Sequence, residues 1–141
     1  MVTPAGEFQA KYAALMAEGD KALSAGDYAR AEEQYGQAIL AAVHGGYNSA
    51  RWLFAAYVKL ASASARDGKR DVAVGQIKTA IGIMTRSAVA IPADAYSSFV
   101  SEGDRYAQQK DYDKALEQYS KALQVISAKC NCGLENWSIL P

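Results

Sequence analysis

The sequence predicts an all-α fold of six helices in three hairpins, stacked as an α-solenoid and followed by a C-terminal tail. Three observations predict it. A block anchored on Ala31 returns at Ala73 and again at Ala115, 42 residues apart each time. A constant period in this range marks a stack of repeated supersecondary units. Alanine is abundant, proline is limited to three residues and β-branched runs are few, which favours helix. Apolar residues recur at three- and four-residue steps between turns marked by glycine and aspartate.

The elements follow in order. Thr3-Pro4 reads as an N-cap with proline at the first helical position. The helix it opens runs to about Ser24, with Phe8, Tyr12, Leu15, Ala22 and Leu23 facing inward. Ala25-Gly26-Asp27 breaks it, Gly26 being suited to a positive φ. Asp27 caps a second helix to about Val43, whose inner face carries Tyr28, Ala31, Tyr35, Ala38 and Ile39. His44-Gly45-Gly46-Tyr47-Asn48 is a loop, and Asn48 or Ser49 can cap the third helix, to about Arg66. That helix turns Trp52, Leu53, Ala56, Tyr57, Leu60 and Ala61 inward. Asp67-Gly68 leads to a fourth, from Lys69 to about Ala88. Pro92 opens a fifth, with Tyr96, Phe99, Val100, Gly103 and Tyr106. Gln109-Lys110-Asp111 turns into a sixth, from Asp111 to about Ala128. The repeat domain is therefore 1–128 and the tail 129–141.

Two helices joined by a short turn approach to 8–10 Å only where one side is small. Gly19, Ala61 and Gly103 each stand twelve residues before an anchor alanine, which places them opposite Ala31, Ala73 and Ala115. Tyr35, Ile77 and Tyr119 then fill the space between hairpins.

Composition excludes several function classes. Lys plus Arg balance Asp plus Glu at 15 each, so no basic face favours nucleic acid or an anionic membrane. No stretch approaches the ~18 apolar residues of a spanning helix. The N-terminus lacks the basic and apolar regions of a signal peptide, which makes a cytoplasmic location the expectation.

In register, these residues resemble the tetratricopeptide repeat (TPR). The match covers units of about 12–43, 54–85 and 96–127. A small residue stands at the eighth position of each unit (Gly19, Ala61, Gly103) and alanine at the twentieth and twenty-seventh. Tyr or Ile stands at the twenty-fourth. The usual period is 34; the longer one is similar to that of kinesin light chains and many bacterial TPR proteins. The resemblance implies a right-handed solenoid whose concave groove is lined by the first helix of each hairpin. By position the lining is Met16, Asp20 and Leu23 in the first unit, with Ala13, Ala17 and Ser24. The second gives Val58, Lys59, Ser62 and Arg66, with Ala55. The third gives Val100, Ser101 and Asp104, with Ser97 and Gln108. Such a set suits an extended segment or an amphipathic helix of a partner. TPR co-chaperones clamp a C-terminal carboxylate with Lys, Asn and Arg. Here Met16, Asp20, Lys59, Ser97 and Ser101 stand at those positions, so that clamp is not expected.

The tail carries Leu134, Trp137, Ile139 and Leu140. One reading folds it onto the apolar face of the last helix, where Leu116, Tyr119 and Leu123 need a cover, or into the groove; the rival makes it a linear docking motif. Cys130 and Cys132 read as free thiols first and as an intermolecular metal or disulfide link second; a Cys-x-Cys redox pair closes a tight ring, and a zinc site needs about four ligands. His44 reads as a loop histidine, and Gly45-Gly46, following a helix, as a connection and not a phosphate cradle. No metal or cofactor is expected and no enzymatic constellation is evident. The expected function is a protein-binding adaptor or chaperone-like scaffold. The alternative is a structural subunit of a larger assembly or homo-oligomer, docked through its ends or tail.

Overall fold

The computed structural model describes residues 4–44, 50–86, 91–130, 134 and 139. These residues form six α-helices and no strand: α1 Pro4–Ser24, α2 Tyr28–His44, α3 Ala50–Arg66, α4 Arg70–Thr85, α5 Ser97–Gln108 and α6 Tyr112–Cys130. A 3-10 turn, Ala93–Ala95, precedes α5. The helices pair as hairpins, α1 on α2, α3 on α4 and α5 on α6. The junctions between hairpins differ. The first joins α2 to α3, whereas the second is made chiefly by α4 against α6.

Three turns of one geometry make the hairpins. Gly26, Gly68 and Lys110 all have positive φ, at 80°, 82° and 61°. In the first turn the N–H of Gly26 donates to Leu23 O and that of Asp27 to Ala22 O. The pattern recurs as Gly68 to Ala65 and Lys69 to Ser64, and again as Lys110 to Ala107 and Asp111 to Tyr106. This double bond satisfies carbonyls that a helix end leaves orphaned. The next residue starts the following helix: Asp27 Oδ1 accepts the Arg30 N–H at 3.2 Å and Asp111 Oδ1 the Lys114 N–H at 3.4 Å. Lys69, in the middle turn, supplies no such cap.

The core falls into two clusters that share α3. Phe54, Val58, Ala61 and Ala65 face α4 and α6, while Ala56 and Ala63 face α1 and α2. Every residue from Ala61 to Ala65 is buried. This stretch, covered on both sides, is made of alanine and serine alone, and Ser64 meets its hydrogen-bonding need by donating to Glu32 at 2.9 Å.

Tyr35 and Tyr119 are fully buried, and their rings lie against Gly19 and Gly103, where a Cβ would collide with them. The expectation that these rings fill the space between hairpins is therefore corrected. Each tyrosine fills its own hairpin, and the bare backbone makes room for a flat ring. Ala61 stands in the corresponding place beside the narrower Ile77, also fully buried.

Three boundaries are corrected. Pro92 opens the 3-10 turn, and Tyr96, at φ −128°, lies outside the helical basin and is the N-cap of α5. α4 ends at Thr85; residues 87–90, which the expected end included, lie outside the described residues, as do Thr3 and 45–49. α6 runs to Cys130 because its buried stripe of Leu116, Tyr119, Leu123, Ile126 and Cys130 keeps helical phase past Ala128.

Two opposed outcomes test the glycine–tyrosine packing. Gly103→Ala should lose about 1–3 kcal/mol, because Tyr119 Cε1 lies 2.5 Å from the added methyl. Gly75→Ala, mid-helix with nothing within 4 Å, should gain about 0.5–1 kcal/mol; urea unfolding of both variants reads the sign. Lys110→Gly relieves the one positive-φ residue that is not glycine among the described residues. It should raise stability by about 0.5–1 kcal/mol in the same assay.

Candidate functional site

The side-by-side run of α1 and α3 carries the candidate site. Tyr12 on α1 donates its hydroxyl to the Trp52 carbonyl at 2.7 Å, and the two rings lie 4.5 Å apart, tilted by 51°. Further along, Asp20 on α1 meets Lys59 on α3 at 3.0 Å. These bridges are eight residues apart on α1 and seven on α3, so the helices run parallel in register, with about 12 and 10.5 Å of axis between bridges. Beside the aromatic bridge lies an open cleft of about 420 Å³, lined by Tyr12, Ala13, Arg51, Trp52 and Ala55. Ala13 and Ala55 leave this space because their side chains end at Cβ.

Asp20 is the centre of a polar node. Its Oδ1 accepts the Tyr35 hydroxyl at 2.6 Å and Lys59 Nζ at 3.0 Å. Burial, then the hydrogen bond and negative charge of Asp20, hold the Tyr35 proton far above the usual phenol range; the charge of Arg66 acts in the opposite sense. Burial, then the charge of Asp20, does the same to Tyr12. The third hairpin repeats the node: Asp104 accepts the Tyr119 hydroxyl at 2.6 Å and pairs with Lys78 at 3.0 Å. Tyr119 is raised by burial first and by Asp104 second. Both ion pairs join neighbouring hairpins.

This geometry redistributes the residues expected to line a groove. Met16, Leu23, Val58 and Ser62 are buried and present no free surface. Val58 is held in the cluster shared with α4 and α6, while Met16 and Leu23 belong to the cluster that α1 and α2 form with α3. Asp20 and Lys59, expected to line the groove, pair with each other across α1 and α3. Arg66, Val100 and Asp104 are half-buried, and Ser101 is exposed on α5. Arg51 and Trp52, both in the cleft, were not among the expected lining residues. Trp52 was read as core, and it is half-buried in the first cluster while also forming a cleft wall.

In the tail, Leu134 and Ile139 are buried against the cluster that contains Ile126 and Cys130. The Leu134 N–H donates to Ser127 Oγ at 3.1 Å. Trp137 and Leu140 lie outside the described residues. Cys130 is disulfide-bonded, which corrects the reading as a free thiol; the other cysteine of the chain is Cys132. Among the described residues no helix is long and apolar enough to cross a membrane. No three His, Cys, Asp or Glu among them could together hold a metal ion.

Comparison of the chain with protein-family models, with curated proteins and with solved structures finds no match.

The tyrosine nodes make stability fall with alkali. A proton held more tightly in the folded chain stabilises it fully below the unfolded phenol value of 10.0, and that contribution is lost as pH rises beyond it. Tyr119→Phe should lose about 1–2 kcal/mol at pH 8, where the hydrogen bond to a carboxylate is missing. Its melting temperature should then fall less steeply than wild type between pH 10 and 12; parallel curves would count against the node.

Proposed function

We propose that the chain is a protein-binding adaptor or chaperone-like scaffold, built as a TPR-like right-handed α-solenoid of three hairpins, that holds a peptide or helix of a partner without turnover. The observation that carries this reading is the open cleft between α1 and α3. Tyr, Trp and Arg are the residues that dominate binding energy at protein interfaces, and all three meet here over a floor of alanines. Its volume lies within the range of ligand-binding clefts. The two parallel helices are bridged on one side by Tyr12 and Trp52 and on the other by Asp20 and Lys59, so the cleft is pre-formed and pays little ordering cost on binding.

The solenoid reading is supported by the 42-residue recurrence and by three turns with the same hydrogen-bond pattern. The buried Leu134 and Ile139 favour a tail that belongs to the fold over one that docks elsewhere.

The test compares capture from the native lysate by the full chain and by two variants, quantified by mass spectrometry. Ala13→Glu places a charge in the cleft at an exposed position and should reduce the captured partner at least tenfold. Lys121→Glu, exposed on α6, should capture as wild type does. Equal capture by all three would exclude the cleft as the binding surface.

A further inference from the structure

We propose that the outer face of α1 is where two copies of the chain pair, antiparallel about a two-fold axis at Ala14. The 42-residue period matches Ala10, Ala14 and Ala17 of α1 with Trp52, Ala56 and Lys59 of α3. On α3 that face is the junction with the first hairpin. Ala56 is fully buried in the cluster of α1 and α2, with Trp52 packed beside it, and Lys59 holds Asp20. On α1 the equivalent face is exposed. The third copy of the face, on α5, is exposed as well, but Ser98 and Ser101 stand there where α1 has Ala14 and Ala17. In the open, α1 thus carries the small apolar surface that the chain covers on α3 and makes polar on α5.

Charge identifies the occupant as a second copy. Glu7 and Lys21 stand seven residues to either side of Ala14, and Lys11 and Glu18 three and four residues away; all four are exposed. No ion pair among the described residues uses any of them. In an antiparallel pair centred on Ala14, Lys21 comes level with Glu7 of the second copy, about 10.5 Å along the axis from the centre. Glu18 lies within about 1.5 Å of the level of Lys11 of the second copy. The two-fold axis makes each contact twice. A parallel pair would set each charge against its own kind, which opposes association. The alanines between the charges let the two helices approach closely. Head-to-tail stacking on the last hairpin would also cover α1, but that end has its own cover. Leu134 and Ile139 are buried in the last cluster, and the Leu134 N–H donates to Ser127 of α6. A head-to-tail contact also leaves a free end and grows, whereas the two-fold contact closes.

Sedimentation equilibrium of the full chain tests this. Wild type should sediment as a dimer in equilibrium with monomer. Ala14→Glu brings two carboxylates together at the axis and should raise the dimer dissociation constant at least tenfold. The position is exposed and glutamate favours helix, so the circular dichroism of this variant should match wild type. Lys11→Glu should also weaken the dimer. Adding Glu18→Lys to Lys11→Glu should restore it, because the double exchange sets opposite charges against each other again. A wild type that stays monomeric at every concentration, a mass that grows past the dimer, or a dimer indifferent to Ala14→Glu would overturn the proposal. A double exchange that fails to recover the dimer would overturn the antiparallel register on which it stands.

Discussion

A tyrosine ring laid on a bare glycine backbone governs how each outer hairpin closes. Tyr35 lies on Gly19 and Tyr119 on Gly103, and in both cases the hydroxyl at the far end of the ring reaches the aspartate next to that glycine. The ring sets the spacing of the two helices, and the hydroxyl aligns them along their axes. Each aspartate then holds a lysine from the neighbouring hairpin. One side-chain constellation thus links packing within a hairpin to contact between hairpins. The cleft inherits its geometry from this chain of contacts, because Asp20 and Lys59 keep α1 and α3 parallel.

The middle hairpin lacks the constellation. Ala61 and Ser62 stand where the outer hairpins have glycine and aspartate, and Ile77 where they have tyrosine. It compensates by burial: α3 is covered from both sides and its Ala61–Ala65 stretch is enclosed. The cross-links here are between hairpins, with Glu32 of α2 accepting from Ser64 and Lys69 and Arg70 reaching Asp113 of α6 at 2.6 Å. The last pair is well exposed, so it directs contact more than it strengthens it.

Much of the helical content was legible because the signals are local. Gly26 and Gly68 mark their turns by conformational need, and the 42-residue register points to Lys110 as the third. Gly19 and Gly103 were legible as close-approach sites, but not the ring each receives. A period gives equivalence between units and leaves the rotation of one helix against its partner undetermined. The cleft was harder to read. Ala13 and Ala55 were identified, yet their neighbours Arg51 and Trp52 were not, since a position rule taken from a regular groove misses a wall that Tyr12 and Trp52 create by tilting together. The burial of Val58 and Ser62 was hidden for a related reason: alanine and serine look the same in sequence on an exposed face and on one pressed between two layers. Cys130 was misread because a two-residue spacing at the end of a chain resembles an unstructured thiol pair, whereas helical phase carries it into the core.

Enclosure of α3 on both sides has a consequence for how the chain assembles. A stack of repeats ordinarily melts and grows from its ends, one unit at a time, because each unit touches only its neighbours. Here the middle helix has almost no solvent face over its last turns. Loss of the first hairpin strips Ala56 and Ala63 of cover, and loss of the third removes α6 from the cluster that contains Phe54 and Val58. Neither end can leave without exposing the centre, so the energetics of the two outer units are coupled through a helix that belongs to neither. The six helices should then unfold as a single cooperative unit.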